Sequence, residues 1–414
     1  NPVDGPNPYD NELFMANAQD FVKRIRNHPS IGIYVGRNEG NPPPYINDSL
    51  YAMLPILHPG IHYIPNSAGG VVSGGGPYRA LPPRDYYLLY GNNKFHSERG
   101  MPNVMTYESL AQTLPADKLW PQNSQWGLHD YTLASAQSAA SFNAMIEKAF
   151  GPAKDARQFT EWAQWINYDG YRGIFEGRSE FRRGMLLWMS HPAWPSMVWQ
   201  TYDYYFDPTA AYFGCKKASE PLHIQWNPVW DDIEVVNYHG GNRTSLTVKA
   251  QLINMDGSVQ WEKETMVNSQ EDSTIKGFKL EFPESLSSVY FIKLALIENG
   301  KLVSDNFYWR GKEEGDYKAL HQLPKVNLTA KTDTHKSGGE WLLTTTLKNE
   351  TATPAIMIRL KVNGSKSNER ILPVFYSDNY FFLMPGEEKA ITMKLQNVDT
   401  RGEKPVVDIS GFNL

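Results

Sequence analysis

IGIYVGRNEGNPP, residues 31–43, is the stretch that decides how the first half of the chain folds. Its first five residues are apolar and rich in β-branched side chains, a composition typical of a buried strand. The polar residues Arg37, Asn38 and Glu39 follow at once, and a Gly-Asn-Pro-Pro-Pro loop comes next. A carboxylate at the end of a buried strand is either held by a structural partner or set there for chemistry, so Glu39 is a candidate functional residue.

Short apolar strands alternate with helical patterns through the first 220 residues. Asp10 is placed to cap a first helix. The apolar face of that helix consists of Phe14, Ala18, Phe21, Val22 and Ile25. Further helical patterns cover about 47–57 and about 130–183. Strands are predicted at 31–39, 62–67, 94–100 and 184–195, with a further short strand allowed at 85–91.

Repeated strand–helix units with polar residues at the strand C-termini predict a parallel sheet, either open or closed into a (β/α)8 barrel. About five strands are visible, whereas a closed barrel needs eight. We therefore expect residues 1–220 to form the C-terminal part of a TIM-barrel catalytic domain, from about strand 4 to strand 8.

The chain changes character near residue 220, where short alternating strands and turn signals replace the helical patterns. The MDG and ENG tripeptides are hairpin signals. About 90 residues per all-strand unit predict two immunoglobulin-like β-sandwiches, at 221–312 and 313–414. GKEEGDYKALHQLPK, residues 311–325, is the expected linker between them.

Composition limits the range of functions. The net charge is −5 and the isoelectric point is about 6.1, so we expect no nucleic-acid partner, which would need a basic face. Aromatic residues make up 13% of the chain and fit either aromatic cores or the stacking of sugar rings. The single cysteine, Cys215, excludes an internal disulfide. We also expect no membrane span, because no apolar run approaches the ~18 residues that one needs.

Two glutamates stand at the C-terminal ends of predicted strands. Glu39 lies in GRNEG, and Glu98 lies in FHSERG. Barrel enzymes keep their chemistry at this rim, and a facing pair of carboxylates is what glycosidic bond cleavage requires. The alternative is structural, because Arg37 and Arg99 flank the two glutamates and offer ion pairs. Beside the aromatic strand end at Trp188, the pair favours the catalytic interpretation.

Other motifs carry less information. The Gly-rich segment GGVVSGGGPY lacks the phosphate-loop pattern and is expected to be a flexible rim loop. The histidines show no zinc-ligand spacing, and no serine lies in a G-x-S-x-G elbow. We therefore expect no metal and no cofactor.

Several separated motifs, in order, resemble glycoside hydrolase family 2. RIRNHPSIGIYVGRNEGNPP resembles the family's fourth-strand region, and FHSERG resembles its seventh-strand nucleophile motif. GPYRALPPRDYY and the segment from GMLLWMSHPAW to PLHIQW are similar to the branch that contains exo-β-glucosaminidases, β-mannosidases and endo-β-mannosidases. The resemblance covers about residues 10–230.

The resemblance implies a retaining β-glycosidase with Glu39 as acid/base and Glu98 as nucleophile. It also implies that Asn38 binds the sugar's 2-substituent and that Trp188 forms the floor of the −1 subsite. Further substrate-binding candidates, expected from position alone, are Tyr78, Trp194, Trp199 and Asp203. Core packing is the competing interpretation for Trp194 and Trp199.

The sugar is predicted from one departure. Exo-β-glucosaminidases of this branch tend to have Ser-Asp where this chain has Asn38-Glu39, which favours a β-mannoside or a related 2-hydroxy glycan. Glucosaminidase or β-galactosidase-type activity and a non-catalytic carbohydrate-binding fragment remain alternatives.

The start of the chain, NPVDGPNPYDNE, shows no signal peptide and reads like the interior of a longer protein. We expect that the N-terminal part of the same protein is missing, that this part is a partner of the chain, and that the chain alone is weakly active or inactive. The expected location, inferred only from function, is the periplasm or the medium.

Overall fold

A computed structural model describes residues 6–76, 78–134, 138–181 and 183–414. The chain divides into two compact units. The smaller unit comprises the described parts of Asn1–Pro77, Asn92–Arg99 and Phe181–Trp188. The larger unit comprises Tyr78–Gly91, the described parts of Gly100–Glu180, and Met189–Leu414.

Eight α-helices lie among the described residues. They are α1 (Asn11–Ile25), α2 (Pro44–Leu57), α3 (Pro83–Tyr90), α4 (Tyr107–Thr113), α5 (Ser124–Leu128), α6 (Ala139–Phe150), α7 (Ala156–Glu176) and α8 (Ala210–Ala218). Short 3-10 turns occupy Ala116–Lys118, Lys318–Gln322 and Asn397–Thr400. Within the described ranges, no helix has the length and apolar character needed to cross a membrane.

Five short strands belong to the smaller unit. They are β1 (Ile33–Arg37), β2 (His62–Asn66), β3 (Val72–Ser73), β4 (Phe95–Arg99) and β5 (Met185–Leu187). β1 pairs with β2, and β4 lies between β3 and β5. Every one of these pairings is parallel. Parallel pairing brings the carboxyl ends of paired strands to the same edge of their sheet.

The first helix confirms the predicted cap and corrects part of the predicted face. The Asp10 carboxylate accepts a hydrogen bond of 2.9 Å from the amide of Leu13, as an N-cap should. Val22 is buried and packs in a cluster with residues of α2. Phe14 and Phe21, expected on the buried face, are 38% and 57% exposed. The core contact of α1 is therefore narrower than its apolar stripe.

The allowed strand at 85–91 is wrong, because those residues form α3. A Pro-Pro pair starts this helix and Asp85 lies in its first turn, both of which are helix-start signals. Tyr86, Tyr87 and Tyr90 are buried along one face. The long helical pattern at 130–183 is interrupted at Gly151, whose φ of +91° ends α6.

Seven antiparallel strands follow in the larger unit. They are β6 (Leu222–Asn227), β7 (Asp232–Asn237), β8 (Arg243–Asn254), β9 (Val259–Ser269), β10 (Ser273–Lys279), β11 (Val289–Glu298) and β12 (Lys301–Gly311). They form one sheet in the order β10-β7-β6 and another in the order β12-β11-β8-β9. Asn299 and Gly300, both at positive φ, make the tight turn between β11 and β12 that ENG predicted.

A second set of seven strands completes the chain. They are β13 (Thr329–Ser337), β14 (Glu340–Lys348), β15 (Ala355–Gly364), β16 (Phe375–Tyr376), β17 (Phe381–Leu383), β18 (Glu388–Gln396) and β19 (Pro405–Ser410). Their sheets have the orders β13-β14-β18-β16 and β17-β15-β19. Two antiparallel sheets in each set confirm the expected sandwich architecture. The predicted boundaries between the domains stay predictions.

Candidate active site

Glu98 ends the central strand of the β3-β4-β5 sheet and is 4% exposed. Its Oε1 atom accepts a hydrogen bond of 3.1 Å from the amide of Gly75, in the loop after β3. The neighbouring Ser97 hydroxyl donates to the carbonyl oxygen of Ser67, just beyond β2, at 2.6 Å. These bonds hold Glu98 at the carboxyl edge of the strands.

Asn38 and Glu39 follow β1 directly, as the sequence predicts. Glu39 is exposed and has φ of +48°, a backbone conformation that is uncommon outside glycine. The Glu39 amide donates to the Ser67 hydroxyl at 2.9 Å, and that hydroxyl donates to Oδ1 of Asn38 at 3.2 Å. One serine after β2 thus orients both residues of the Asn-Glu pair.

Gly75 brings the two glutamates together. Its amide bonds to Glu98, and a Cβ atom placed on Gly75 would lie 2.9 Å from Oε1 of Glu39. A residue's nitrogen and Cβ are about 2.5 Å apart, so the Oε1 atoms of the two glutamates lie within about 8.5 Å of each other. Two carboxylates therefore meet across one glycine at the carboxyl ends of β1 and β4.

The arginines beside the two glutamates have other acceptors. Arg37 donates to Oδ1 of Asn7 at 2.8 Å. Arg99 donates to the Ser73 hydroxyl at 2.7 Å and to the main-chain carbonyl of Glu98. Arg99 thereby connects β4 to the end of β3 and supports the strand that carries Glu98.

Trp188 lies directly after β5, where the sequence places it. Its amide donates to the carbonyl oxygen of Arg99 at 2.9 Å, which sets Trp188 beside the end of β4. The side chain is 37% exposed, so part of the indole faces solvent. An indole at a strand end is suited to stacking against the apolar face of a sugar ring.

The other predicted aromatic residues belong to the larger unit. The Tyr78 ring stacks on Trp199 with centroids 4.1 Å apart, and Trp199 is 4% exposed. Trp194 is 45% exposed and stacks on His129 at 5.2 Å. Trp199 is therefore a packing residue in contact with Tyr78, whereas nearly half of the Trp194 surface faces solvent. The predicted substrate-binding role of Tyr78 stays a prediction.

Asp203 is buried inside its own loop. It is 2% exposed, and its Oδ1 atom accepts hydrogen bonds from the amides of Tyr205 and Asp207 at 2.9 and 3.1 Å. Burial and the charge of Asp207 raise the pKa of Asp203 above its usual range. These contacts give Asp203 a loop-ordering role, and its predicted contact with substrate stays a prediction.

The sequence analysis missed Ser67 and Gly75. No serine motif points to Ser67, and the Gly-rich segment is expected to be a flexible rim loop. Part of that segment is the strand β3, and Gly75 follows it at φ of +76°. The run of glycines was the available signal, but their contacts with the two carboxylates depend on the tertiary fold.

A cavity of about 320 Å³ lies elsewhere, in the larger unit, and is lined by residues that include Glu108, Arg157, Arg359 and Lys361. Burial opposes ionisation of Glu108, but Arg359 and Lys361 outweigh it and hold the pKa of Glu108 well below its usual range. A carboxylate fixed in this way is an ion-pair partner and a poor proton donor. Across the described part of the chain, no group of three or more His, Cys, Asp or Glu side chains could hold a metal ion.

The class of the two sandwiches follows from comparison with known families. Residues 232–312 match the mannosidase Ig/CBM-like domain, and residues 306–414 match the exo-β-D-glucosaminidase Ig-fold domain. The C-terminal part of the chain therefore consists of immunoglobulin-fold domains of the exo-β-glucosaminidase and mannosidase type.

Relatives extend the similarity to the whole chain. The mannosylglycoprotein endo-β-mannosidase of Lilium longiflorum is 26% identical over 531 residues, covering 100% of this chain and 55% of the relative. The exo-β-D-glucosaminidase of Amycolatopsis orientalis is 28% identical over 451 residues, covering 96% of this chain and 43% of the relative. The exo-β-D-glucosaminidase of Streptomyces avermitilis is 30% identical over 378 residues, covering 82% of this chain and 42% of the relative. The predicted resemblance to this branch of glycoside hydrolases is confirmed.

Solved structures agree with these relatives. The exo-chitosanase CsxA of Amycolatopsis orientalis superposes with a TM-score of 0.89 at 25% identity, over 98% of this chain and 53% of CsxA. The β-mannosidase of Dictyoglomus thermophilum, at 19% identity, shares the fold with a TM-score of 0.75, over 98% of this chain and 51% of that protein. The chain spans about half the length of the curated relatives it matches.

Proposed function

We propose that the protein is a retaining β-glycosidase in which Glu98 is the nucleophile and Glu39 is the acid/base. The observation that carries the proposal is the meeting of these two carboxylates across Gly75 at the strand ends. A retaining enzyme needs two carboxyl groups ~5–5.5 Å apart. The upper limit of about 8.5 Å between their Oε1 atoms leaves room for that separation.

The reaction takes two steps. Glu39 protonates the glycosidic oxygen while a Glu98 oxygen attacks the anomeric carbon, which releases the leaving group and forms a glycosyl ester. Glu39, now a carboxylate, then removes a proton from water, and the water oxygen displaces Glu98 with net retention. Exposure of Glu39 and burial of Glu98 suit these roles, because the acid/base must reach water and the nucleophile must be held still.

The scaffold in this proposal is the later part of a (β/α)8 barrel, with β1 to β5 as about its fourth to eighth strands. Parallel pairing of all five strands and polar residues at their carboxyl ends support it. Ile33 and Val35 of β1 are 44% and 47% exposed, as expected of a strand that another part of a barrel covers. The partner that completes the barrel would be the rest of a longer protein of the relatives' length.

The substrate proposed is a β-mannoside or a related glycan with a hydroxyl at C2. Ser67 donates to Oδ1 of Asn38, so the amide nitrogen is the end of that side chain suited to donate to a sugar oxygen. A neutral amide donor matches a hydroxyl better than the ammonium group of a glucosaminide. The glucosaminidases among the relatives keep β-glucosaminide as the second substrate to test.

The experiment is a panel of nitrophenyl β-glycosides (mannoside, glucosaminide, galactoside and glucuronide) with the full-length enzyme and its Glu98→Ala variant. We expect turnover of the mannoside, loss of turnover in Glu98→Ala, and partial rescue by azide or formate, small anions that replace the missing carboxylate. Turnover that survives in Glu98→Ala would contradict the nucleophile assignment. Sugar binding without turnover in the wild type would contradict the enzymatic proposal.

A further inference from the structure

Gly75 lies beside both carboxylates. Its amide donates to Oε1 of Glu98 at 3.1 Å. On its other side, a side chain would begin 2.9 Å from Oε1 of Glu39, closer than Cβ atoms ordinarily come to another atom. The backbone of Gly75 has φ of +76°, which L residues rarely adopt.

We propose that Gly75 is a positioning residue of the reaction, which fixes the Glu98 carboxylate through its amide and leaves space for the Glu39 carboxyl by having no side chain. The inference rests on the proposed function, because it assigns no chemistry of its own to the loop. It makes Gly75, just after β3, a part of the catalytic machinery.

The amide acts on the position of the Glu98 carboxylate. A hydrogen bond from a main-chain N–H to a carboxylate is charge-assisted and stronger than one between neutral groups. The same bond limits rotation of the carboxylate, and misplacement of a reacting group by 1 Å can cost ~100-fold in rate.

The missing side chain acts on Glu39. A methyl group at 2.9 Å from Oε1 would overlap it, and the Glu39 carboxyl would move, because Oε1 is the end of a flexible and exposed side chain. An L residue at the φ of Gly75 would also strain the loop, and relief of that strain would shift the amide that donates to Glu98. One substitution is therefore expected to disturb both carboxylates, although it removes no functional side chain.

The other end of the Gly-rich segment, before β3, supplies a matched control. Gly70 also has positive φ, +65°, but a Cβ atom placed there meets nothing within 4 Å. Gly70→Ala and Gly75→Ala therefore impose similar backbone strain on the same segment. They differ in whether the new methyl group meets a carboxylate.

The test is the comparison of kcat and KM for the full-length wild type, Gly75→Ala and Gly70→Ala. Gly75→Ala is expected to lower kcat by about 10–100-fold and to leave KM little changed, because the two carboxylates act in the reaction rather than in binding. Gly70→Ala is expected to keep both constants close to those of the wild type. In a Glu39→Ala background, Gly75→Ala is expected to cost less than in the wild type, because the clash with Glu39 is gone.

A second measurement does not depend on how Gly75→Ala folds. Hydrogen–deuterium exchange of peptides covering residues 69–76 is compared between the wild type and Glu98→Ala. Loss of the acceptor is expected to speed exchange at the Gly75 amide about tenfold, with the Gly70 amide unchanged. Unchanged exchange would overturn the proposal, as would a Gly75→Ala variant that matches Gly70→Ala or exceeds wild-type activity.

The two proposals fail in different ways. A full-length wild type that turns over no β-glycoside overturns the proposed function. An active wild type with an inactive Glu98→Ala and a fully active Gly75→Ala overturns only the role of Gly75.

Discussion

Two pairs of glutamates in this protein have opposite surroundings. The rim pair, Glu39 and Glu98, lies at strand ends in the smaller unit with a glycine backbone beside both carboxylates. The second pair, called the buried pair after the histidine between its members, consists of Glu176 and Glu220 of the larger unit, which lie 3.0 and 3.1 Å from His223 with side chains 1% and 27% exposed. His223 is fully buried between them.

The buried pair is tied to its surroundings by many donors. Glu176 accepts hydrogen bonds from Tyr87, Asn306 and Tyr308 at 3.1, 2.8 and 3.0 Å, besides its contact with His223. These donors come from α3, β6 and β12, whereas Glu176 ends α7. The network fastens the helices of the larger unit to its first sandwich.

The difference teaches what makes a carboxylate structural or reactive. Glu176 is stabilised in one position by several donors inside a packed core. Glu98 is also buried, but it lies at a strand end beside the exposed Glu39, where we propose that the pair exchanges protons and attacks a sugar. The residue type is identical in the two pairs, so placement decides the function.

Glu39→Ala is the change that should separate the pairs most strongly. We expect kcat/KM in the full-length enzyme to fall by about 10²–10⁴-fold for glycosides with poor leaving groups, which need protonation, and much less for activated ones. Glu220→Gln is the control and should leave this dependence unchanged. Rates against leaving-group pKa are the measurement, and an equal loss for all leaving groups would argue against the acid/base role.

Removal of His223 should damage stability and spare chemistry. His223→Leu leaves Glu176 buried without its imidazole partner, and breaking a buried pair costs about 3–5 kcal/mol of unfolding free energy. Urea denaturation checks the loss. A value below about 1 kcal/mol, the range of exposed pairs, would mean that the buried network adds little.

The pH dependence of stability should carry the signature of His223. Burial alone would lower the pKa of His223, but the hydrogen bonds and charges of Glu176 and Glu220 outweigh it and raise the pKa above its ordinary 6.5. The stabilisation is therefore complete below pH 6.5 and is lost as pH rises through the raised pKa. The difference in unfolding free energy between wild type and His223→Gln should shrink from pH 5.5 to 8.5. The titration of Asp203 is common to both proteins, so it cancels from the difference in unfolding free energy. A difference that grows with pH would contradict a raised pKa of His223.

The smallest effect is expected at an exposed version of the same contact. His239 and Glu271 are 3.2 Å apart, with the His239 side chain 87% exposed and that of Glu271 43% exposed. His239→Gln should change the unfolding free energy by less than about 0.5 kcal/mol. Urea denaturation under the conditions used for His223→Leu measures this change. A loss as large as that of His223→Leu would show that burial does not explain the difference in unfolding free energy between the two contacts.

The sequence predicts the features that depend on short local patterns of residues. Asp10 as a helix cap, the Asn299-Gly300 turn and both sandwiches follow from spacing and turn chemistry. Glu39 and Glu98 are predicted because each stands at the C-terminal end of a predicted strand. Residues 85–91 failed because DYYLLY suits a strand as well as a helix, and the buried tyrosine face decided the outcome.

The rest could not be predicted because it joins distant segments. Gly75 and Glu98 are 23 residues apart, and the contact is a main-chain amide that leaves no trace in residue type. His223 and Glu176 are 47 residues apart and belong to no motif. Tertiary placement alone makes the first contact part of a site and the second part of a core.

The central claim is that Glu98 becomes covalently attached to the sugar. Full-length enzyme treated with 2-deoxy-2-fluoro-β-mannosyl fluoride, a substrate whose glycosyl-enzyme hydrolyses slowly, should gain one sugar per chain. Tryptic digestion should place that sugar on FHSER, residues 95–99, which contains Glu98. A sugar on the peptide that contains Glu39, or steady turnover of the reagent without any labelled peptide, would contradict the account.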